Sequence, residues 1–312
     1  MEKTFQALEK NAVVRIIAPG AGSPVPGVNS ANSWEDLEKA CDLLRSWGLN
    51  PVYTPRIFAD PQDSYYNFSN TDENRYLDFV EAFSSDAPII WSFRGGYGSD
   101  RIIRDMIKNN FTPAKPKLFI GFSDVTNVHN YILSHWQWHT LHALSLRQLA
   151  LKLIGDNDIA NTREIIFGKK NQVELTLTAL NQAARKSRQI SGHIVGGNLT
   201  MIQTAFGTPW QTPIADNILL LEDVGEAPYR IARIFQQLLA SNYLDSAKAI
   251  ILGDFIPDAK MAMVMEEFAC QCDIPVLRCE GVGHGKNNQP IPLGTPSELT
   301  LGAPCRLVSQ LD

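Results

Sequence analysis

The first half of the chain alternates short, mainly apolar runs with amphipathic stretches. The runs predict buried strands over 13–18, 51–53, 87–93 and 118–120. Apolar residues at helical spacing predict helices from Ser33 to Trp47, over 71–83, through 102–106 and through 128–132. Strands that alternate with helices build βαβ units. The first half therefore predicts an α/β domain, over residues 1–150, with a parallel sheet covered by helices on both faces.

The second half has a different pattern. Residues 151–189 are largely polar, and we interpret them as an irregular linker. Beyond the linker, short apolar runs between glycine turns predict strands over 192–198, 217–222, 249–254, 275–277 and 299–301. One helix, from Tyr229 to Leu239, interrupts them. This pattern predicts a smaller, β-rich C-terminal domain over residues 190–312.

Composition narrows the class of protein. The 312 residues are 44% hydrophobic and 20% charged, with a net charge of −5, as in ordinary globular proteins. No long block of lysine and arginine is present, so nucleic acid and anionic membrane are not expected as partners. The first ten residues mix charged and apolar side chains, unlike a secretory signal, and we expect a cytoplasmic location. The five cysteines are expected to be free thiols.

Ser123 follows the predicted strand 118–120 and comes just before a predicted helix. A serine on such a strand-to-helix turn exposes its hydroxyl at the positive end of the helix dipole. This is a suitable place for a nucleophile, because the adjacent backbone N–H can stabilise an oxyanion. The hydrolase elbow Gly-x-Ser-x-Gly would need glycine at Val125. The alternative is that Ser123 only caps the helix.

Residues 94–98 read Arg-Gly-Gly-Tyr-Gly and follow the predicted strand 87–93. They lack the glycine spacing of a nucleotide-binding loop. A glycine pair after a parallel strand can turn its N–H groups into the crevice at the strand ends, where α/β sheets bind ligands. The segment is therefore either part of an oxyanion hole or a tight turn.

Two further loops carry candidate chemistry. Glu222 ends the apolar run 218–221 and shares a loop with Asp223 and Glu226. His284 lies in a glycine-rich loop and is a candidate general base near neutral pH. Each of these four residues can also be a solvated loop residue.

Two clusters suggest a metal only weakly. Cys270 and Cys272 form a Cys-x-Cys pair without a histidine at suitable spacing, and buried thiols are the alternative. His135 and His139 are four residues apart, in an aromatic segment that favours packing. We expect neither cluster to bind a metal.

Taken together, the motifs resemble the LD-carboxypeptidase family of serine peptidases, which includes the microcin C7 self-immunity proteins. The resemblance covers nearly the whole chain and depends on six segments in order: 18–19, 94–98, 121–124, 196–199, 221–226, and 283–284 with 292–294. It implies an N-terminal α/β domain that carries a nucleophile elbow and a smaller β-rich domain.

The resemblance also implies a Ser-Glu-His triad, with no metal and no cofactor. Ser123 would be the nucleophile and His284 the base. Glu222 would orient the imidazole, with Glu226 as the alternative acid. The N–H groups of Gly96 and Asp124 would form the oxyanion hole. The residues expected to bind the substrate are Arg94, Tyr97, Asn198 and Arg230.

The activity implied is release of a C-terminal D-amino acid from an L-centre, as in the removal of D-alanine from murein tetrapeptides during cell-wall recycling. The expected partner is thus a small peptide, and a homodimer is implied. One alternative is a hydrolase of peptide-nucleotide antibiotics such as microcin C. The others are a two-lobed binding protein without enzymatic activity and a general esterase, which the missing glycine at Val125 disfavours.

Overall fold

A six-stranded sheet and a closed seven-stranded barrel form the framework of the fold. The computed structural model describes residues 4–21, 32–59, 68–256 and 259–311. The strands are β1 (Val13–Ile17), β2 (Asn50–Val52), β3 (Ile89–Ser92), β4 (Leu118–Gly121), β5 (Thr140–His142), β6 (Gln172–Ala179), β7 (Gln189–Asn198), β8 (Ile218–Val224), β9 (Ala249–Ile256), β10 (Val276–Arg278), β11 (Ile291–Leu293), β12 (Pro296–Thr300) and β13 (Cys305–Gln310).

Helices cover both the sheet and one side of the barrel. They are α1 (Asn32–Ser46), α2 (Asp72–Ser84), α3 (Ser99–Lys108), α4 (Thr126–Tyr131), α5 (Leu146–Ala150), α6 (Asp156–Ile166), α7 (Gln182–Arg185), α8 (Leu199–Thr204), α9 (Pro228–Ala240) and α10 (Ala259–Gln271). A π-helical turn, Ile132–Trp136, extends α4. No helix in the described part of the chain is both long and apolar enough to cross a membrane.

The sheet has the strand order β11-β5-β4-β3-β1-β2. Strands β1 to β5 are parallel, and β11 joins the edge antiparallel to β5. Alternate residues of each strand face opposite sides. On β4, Leu118 and Ile120 therefore pack in one core and Phe119 in the other. The α/β fold predicted for the first half is confirmed.

The barrel has the order β10-β6-β13-β12-β7-β8-β9 and closes between β9 and β10. Its apolar strands alternate in the same way. On β8, Ile218 and Leu220 pack inside the barrel, while Leu219 and Leu221 pack against the covering helices. The two cores explain why β8 is an uninterrupted apolar run rather than an alternating one.

Three expectations about the chain differ from the structure. Residues 151–189 are not irregular, because they contain α6 and the barrel strand β6. Polar residues on β6 hid an alternation in which Leu175 and Leu177 are buried while Glu174 and Thr176 are exposed. More than one helix interrupts the later strands, since α8 and α10 do so as well as α9. Residues 291–293, within the range 190–312 predicted for the C-terminal domain, form β11 and pair with the N-terminal sheet.

The starts of α1 and α2 can be compared with the sequence. Helix α1 begins at Asn32, one residue before the predicted start at Ser33, and the side chain of Ser33 lies outside the described side chains. Thr71 does cap α2, since its hydroxyl oxygen accepts a hydrogen bond from the Asn74 backbone N–H.

Candidate active site

Ser123 lies two residues beyond the C-terminal end of β4, at the first residue of a 3₁₀ turn that leads into α4. Its φ is +68°, a left-handed conformation that is uncommon for a residue other than glycine. Such strained residues cluster at functional sites. The turn leaves Ser123 half-buried while its neighbours Phe122 and Asp124 are buried.

The loop that follows β3 lies directly against this turn. A Cβ added to Gly95 would come within 2.9 Å of the Ser123 Cβ, 3.1 Å of its Oγ and 3.3 Å of the Asp124 backbone nitrogen. Glycine is therefore needed for the two backbones to approach each other this closely. The approach places Gly95 beside both the serine hydroxyl and the Asp124 N–H.

The Asp124 side chain stabilises the loop that follows β3 by hydrogen bonds. Its carboxylate accepts hydrogen bonds from the Gly98 N–H at 3.1 Å and the Ser99 N–H at 3.0 Å. Burial raises the pKa of this carboxyl to about 6, although these N–H groups favour its ionised form. The Asp124 carboxylate is thus already hydrogen-bonded at the start of α3.

His284 contacts both of the other main candidates. Its Nε2 lies 3.0 Å from Ser123 Oγ, and its Nδ1 lies 2.6 Å from Glu222 Oε2. Burial lowers the pKa of His284, but the charge and hydrogen bond of Glu222 outweigh burial, so that the pKa is raised from its ordinary value of 6.5. The imidazole can therefore accept a proton from the hydroxyl and remain stabilised as the cation.

Glu222 is completely buried near the end of β8, on the face that Ile218 and Leu220 occupy. Burial raises the pKa of Glu222, but His284 and His142 together lower it by more than burial raises it. The resulting pKa is about 2. Gly283, with φ of +118°, makes room for the carboxylate, because an added Cβ there would lie 2.7 Å from Glu222 Oε2. The structure thus provides a buried, ionised carboxylate next to the imidazole.

The loop that carries His284 is itself anchored. The Gly283 N–H donates to Asn288 Oδ1 at 3.0 Å, and the Asn288 N–H donates to Asp158 Oδ2 at 3.0 Å. Asp158 lies on α6, within the segment expected to be a linker. Sequence reasoning missed both residues, since only the fold brings positions 158 and 288 together.

The other candidate acid lies in a different environment. The Glu226 carboxylate accepts a hydrogen bond from Arg230 at 3.3 Å, and the Arg230 side chain is exposed and also donates to the Tyr229 hydroxyl. Of the two glutamates, Glu222 is the one that contacts His284.

The remaining candidates have varied surroundings. Arg94 is partly buried, and burial together with the charge of Arg147 lowers its pKa to about 10. Tyr97 is exposed and packs on Phe68 with ring centroids 5.6 Å apart. Asn198 is buried: its Oδ1 caps α8 and its Nδ2 donates to Asp223 at 3.2 Å. Both polar atoms of the Asn198 side chain are therefore already hydrogen-bonded, to the start of α8 and to β8.

His142 is a further residue of the site that sequence reasoning did not assign to it. It ends β5, next to β4, and its Nε2 lies 3.9 Å from Glu222 Oε1. The only signal in the sequence is a histidine within an apolar stretch, which does not reveal a partner 80 positions away along the chain.

The metal alternatives find no geometric support in the described part of the chain, which contains no group of three or more His, Cys, Asp or Glu side chains that could hold a metal ion. His135 stacks on Tyr131 with ring centroids 4.3 Å apart. All five cysteines are free thiols, and Cys41, Cys279 and Cys305 are buried.

Sequence comparison finds one family over most of the chain. Residues 14–143 match the LD-carboxypeptidase N-terminal domain, and residues 191–299 match the LD-carboxypeptidase C-terminal domain. A Rickettsia conorii protein, provisionally named a carboxypeptidase, is 35% identical over 96% of this chain and 91% of its own length. The murein tetrapeptide carboxypeptidase of Pseudomonas aeruginosa is 30% identical over 96% of this chain and 95% of its own length.

Solved structures share the fold. The muramoyltetrapeptide carboxypeptidase of Oxalobacter formigenes superposes with a TM-score of 0.76 at 25% identity, over 96% of this chain and 98% of that one. An MccF-like protein of Bacillus anthracis superposes with a TM-score of 0.80 over 97% of this chain and 98% of that one. Its identity of 17% supports the fold alone.

Proposed function

The chain belongs to the LD-carboxypeptidase family, and we propose that it is a serine carboxypeptidase that releases the terminal D-alanine of murein tetrapeptides. The observation that carries the proposal is the unbroken chain of contacts from Ser123 through His284 to Glu222. The murein substrate is supported by the names of the relatives from Pseudomonas aeruginosa and Oxalobacter formigenes.

In the proposed mechanism, His284 Nε2 removes the proton of the Ser123 hydroxyl as Oγ attacks the scissile carbonyl. Glu222 holds the imidazole with Nδ1–H toward Oε2 and stabilises the imidazolium that forms. His284 then gives the proton to the departing amine of D-alanine. Water, deprotonated by His284, hydrolyses the acyl-serine and regenerates the hydroxyl.

The tetrahedral intermediate needs donors for its oxyanion. We assign these to the backbone N–H groups of Gly96 and Asp124, because Gly95, which directly precedes Gly96, lies against the Ser123 turn. Losing one such donor typically costs about 10²- to 10³-fold in kcat. Backbone donors are fixed by the fold, so they need no reorganisation during the reaction.

A carboxypeptidase must also recognise the free carboxylate of its substrate. Arg94 is our candidate, since a guanidinium forms paired hydrogen bonds to a carboxylate and this residue directly precedes the glycine pair. A bound carboxylate would favour the charged form that burial and Arg147 disfavour. Tyr97, Asn198 and Arg230 stay predictions as substrate contacts. The role in cell-wall recycling would place the enzyme in the cytoplasm.

The experiment is a mass-spectrometric assay with the tetrapeptide L-Ala-D-iGlu-mDAP-D-Ala, using wild-type protein and Ser123→Ala. We expect D-alanine release by the wild type and a loss on the order of 10⁴- to 10⁶-fold in the variant. Equal release by both proteins would rule out Ser123 as the nucleophile. Labelling of wild-type Ser123 by a fluorophosphonate, without tetrapeptide hydrolysis, would instead point to another substrate such as a peptide-nucleotide antibiotic.

A further inference from the structure

The two oxygens of the Glu222 carboxylate have unequal surroundings. Oε2 is 2.6 Å from His284 Nδ1, whereas Oε1 has no hydrogen-bond partner among the described residues. A buried charged oxygen without a donor is costly. A donor near Oε1 would therefore matter to the whole Ser-His-Glu chain of contacts.

The side chain that faces this oxygen is His142. Its Nε2 is 3.9 Å from Oε1, and both side chains are completely buried. Neither ring nitrogen of His142 has a hydrogen-bond partner within the described residues. A neutral imidazole carries one N–H, and the tautomer with the proton on Nε2 points that donor at the carboxylate.

The distance is longer than a hydrogen bond. In a buried site of low effective dielectric, however, an N–H dipole still stabilises a facing carboxylate. A movement of roughly 1 Å would bring the pair to hydrogen-bond distance.

The contact also connects the two sheets. His142 lies on β5 and pairs in register with Gly121 of β4, the strand that leads to Ser123. Glu222 lies on the barrel strand β8. His142 is thus placed to fix the carboxylate of the barrel relative to the sheet that carries the serine.

We propose that His142 is a positioning residue for Glu222, with its Nε2–H directed at Oε1, so that the carboxylate is held between two imidazoles. The proposal rests on the proposed function, because it assigns Glu222 the role of orienting His284. It adds a fourth side chain to the three that the family resemblance implies.

Other titratable groups act on the same pair. His284 faces Glu222 from the loop after β10, and Asp223 and Asp254 add negative charge from β8 and β9. On α4, burial, with a lesser contribution from His142, lowers the pKa of His129 to about 3, so this neighbour of His142 is neutral near pH 7. His142 and His284 are thus the groups that favour the ionised form of Glu222.

Removing the His142 donor should have two effects. The Glu222 charge would be less stabilised and would attract the His284 imidazolium more strongly, so the pKa of His284 would rise further. The carboxylate would also be less firmly oriented, so kcat would fall more than KM would change.

The test compares His142→Leu, which removes the donor, with His142→Gln, whose Nε2 amide can occupy the position of the imidazole Nε2. For His142→Leu we expect kcat/KM to fall about 10- to 100-fold, the loss typical of residues that orient the ligands of a metal site, and the acid limb of its pH profile to move to higher pH. His142→Gln should recover most of the activity and return the limb toward the wild-type position. If His142→Leu does not fold, His142→Phe takes its place as the variant without a donor.

A second readout is the rate at which a fluorophosphonate labels Ser123 as a function of pH, which needs no peptide substrate. The proposal would be overturned if the variant without a donor were labelled at the wild-type rate, with the acid limb of its pH profile unchanged. It would also be overturned if that variant and His142→Gln lost the same labelling rate with the limb unchanged, because His142 would then act only through packing. Failure to label wild-type Ser123 would overturn both this proposal and the proposed function. Labelling without tetrapeptide hydrolysis would count against the substrate alone.

Discussion

Ser123 combines an unusual backbone with an ordinary side chain. Its φ of +68° costs of order 1–3 kcal/mol, so the conformation persists only because the surroundings enforce it. The Asp124 carboxylate helps to do so by holding the start of α3. The conformation turns the hydroxyl toward His284 rather than into the helix. Ser123 is also not the N-cap residue of the 3₁₀ turn or of α4, which are Phe122 and Val125.

The two glutamates of the 221–226 motif allow a matched comparison at this scale. Glu222→Gln should lower kcat on the order of 10³- to 10⁴-fold, because a neutral amide no longer fixes the tautomer or stabilises the imidazolium. Glu226→Gln should retain nearly full activity, since Glu226 pairs with Arg230. Steady-state kinetics on the tetrapeptide measures both. The reverse ranking would assign the orienting role to Glu226.

The pH dependence follows from His284. Its pKa is raised above 6.5, because Glu222 outweighs the effect of burial. Only the neutral imidazole can accept the serine proton. We therefore expect kcat/KM to rise with pH through an apparent pKa above 6.5 and to be lost at lower pH. A profile already flat at pH 6 would contradict the assignment, and Glu226→Gln should leave the limb where it is.

At the scale of elements, the site is built where strands end. The carboxyl end of β4 carries Ser123, the loop after β3 brings Gly95 against it, and Glu222 lies near the end of β8. Parallel pairing brings the ends of β3 and β4 to one edge of the six-stranded sheet, the usual ligand site of α/β folds, whereas Glu222 belongs to the barrel. The loop of His284 needs extra anchoring by Asn288 and Asp158, because no regular structure fixes it.

The glycines of the site can be tested against a control elsewhere in the chain. Gly283→Ala should lower kcat strongly, because the new Cβ would lie 2.7 Å from Glu222 Oε2 at a φ of +118°. Gly207→Ala has a similar backbone requirement, with φ of +72°, but its Cβ would meet no described atom within 4 Å. Gly207→Ala should therefore lose about 1 kcal/mol of stability and keep its activity. Thermal unfolding and kinetics separate the two effects, and equal activity of the two variants would refute the steric argument.

Elements with strong periodicity were predictable and others were overlooked. Helix α2 was predicted over 71–83 and runs over Asp72–Ser84. Helix α10 was missed, although the buried Met261, Met265 and Phe268 recur at helical spacing. Strand β6 was missed because its polar face made the segment resemble a linker. In β6 the local pattern competed with a polar composition, whereas in α10 the apolar periodicity was present and was overlooked.

At the scale of the molecule, the proposed reaction depends on the joining of two sheets. The hydroxyl comes from the six-stranded sheet and the carboxylate from the barrel, and β11 carries the chain from the His284 loop back to the edge of the first sheet. The division into domains at 150 and 190 stays a prediction. Because β11 pairs with the edge of the N-terminal sheet, cutting the chain at residue 190 would remove this edge strand from the sheet.

The oligomeric state belongs to this scale as well. Following the family resemblance, we expect a homodimer, with a mass by light scattering of twice the 34.7 kDa of the chain. A concentration series gives the dissociation range, and Gly207→Ala serves as a folded control. A monomer with full activity at all concentrations would show that the dimer is not needed for the reaction.

The sequence by itself determined the order of most strands and helices, the α/β class and the identity of the serine, histidine and glutamate candidates. These features depend on periodicity and on motifs that are local in the chain, so they can be read without a structure. Only the tertiary structure decided that Glu222 rather than Glu226 contacts His284, that β6 and β11 belong to different sheets, and that His142 faces the buried carboxylate. Those facts depend on contacts between residues about 60 to 160 positions apart, and such contacts are set by how the sheets pack rather than by local sequence.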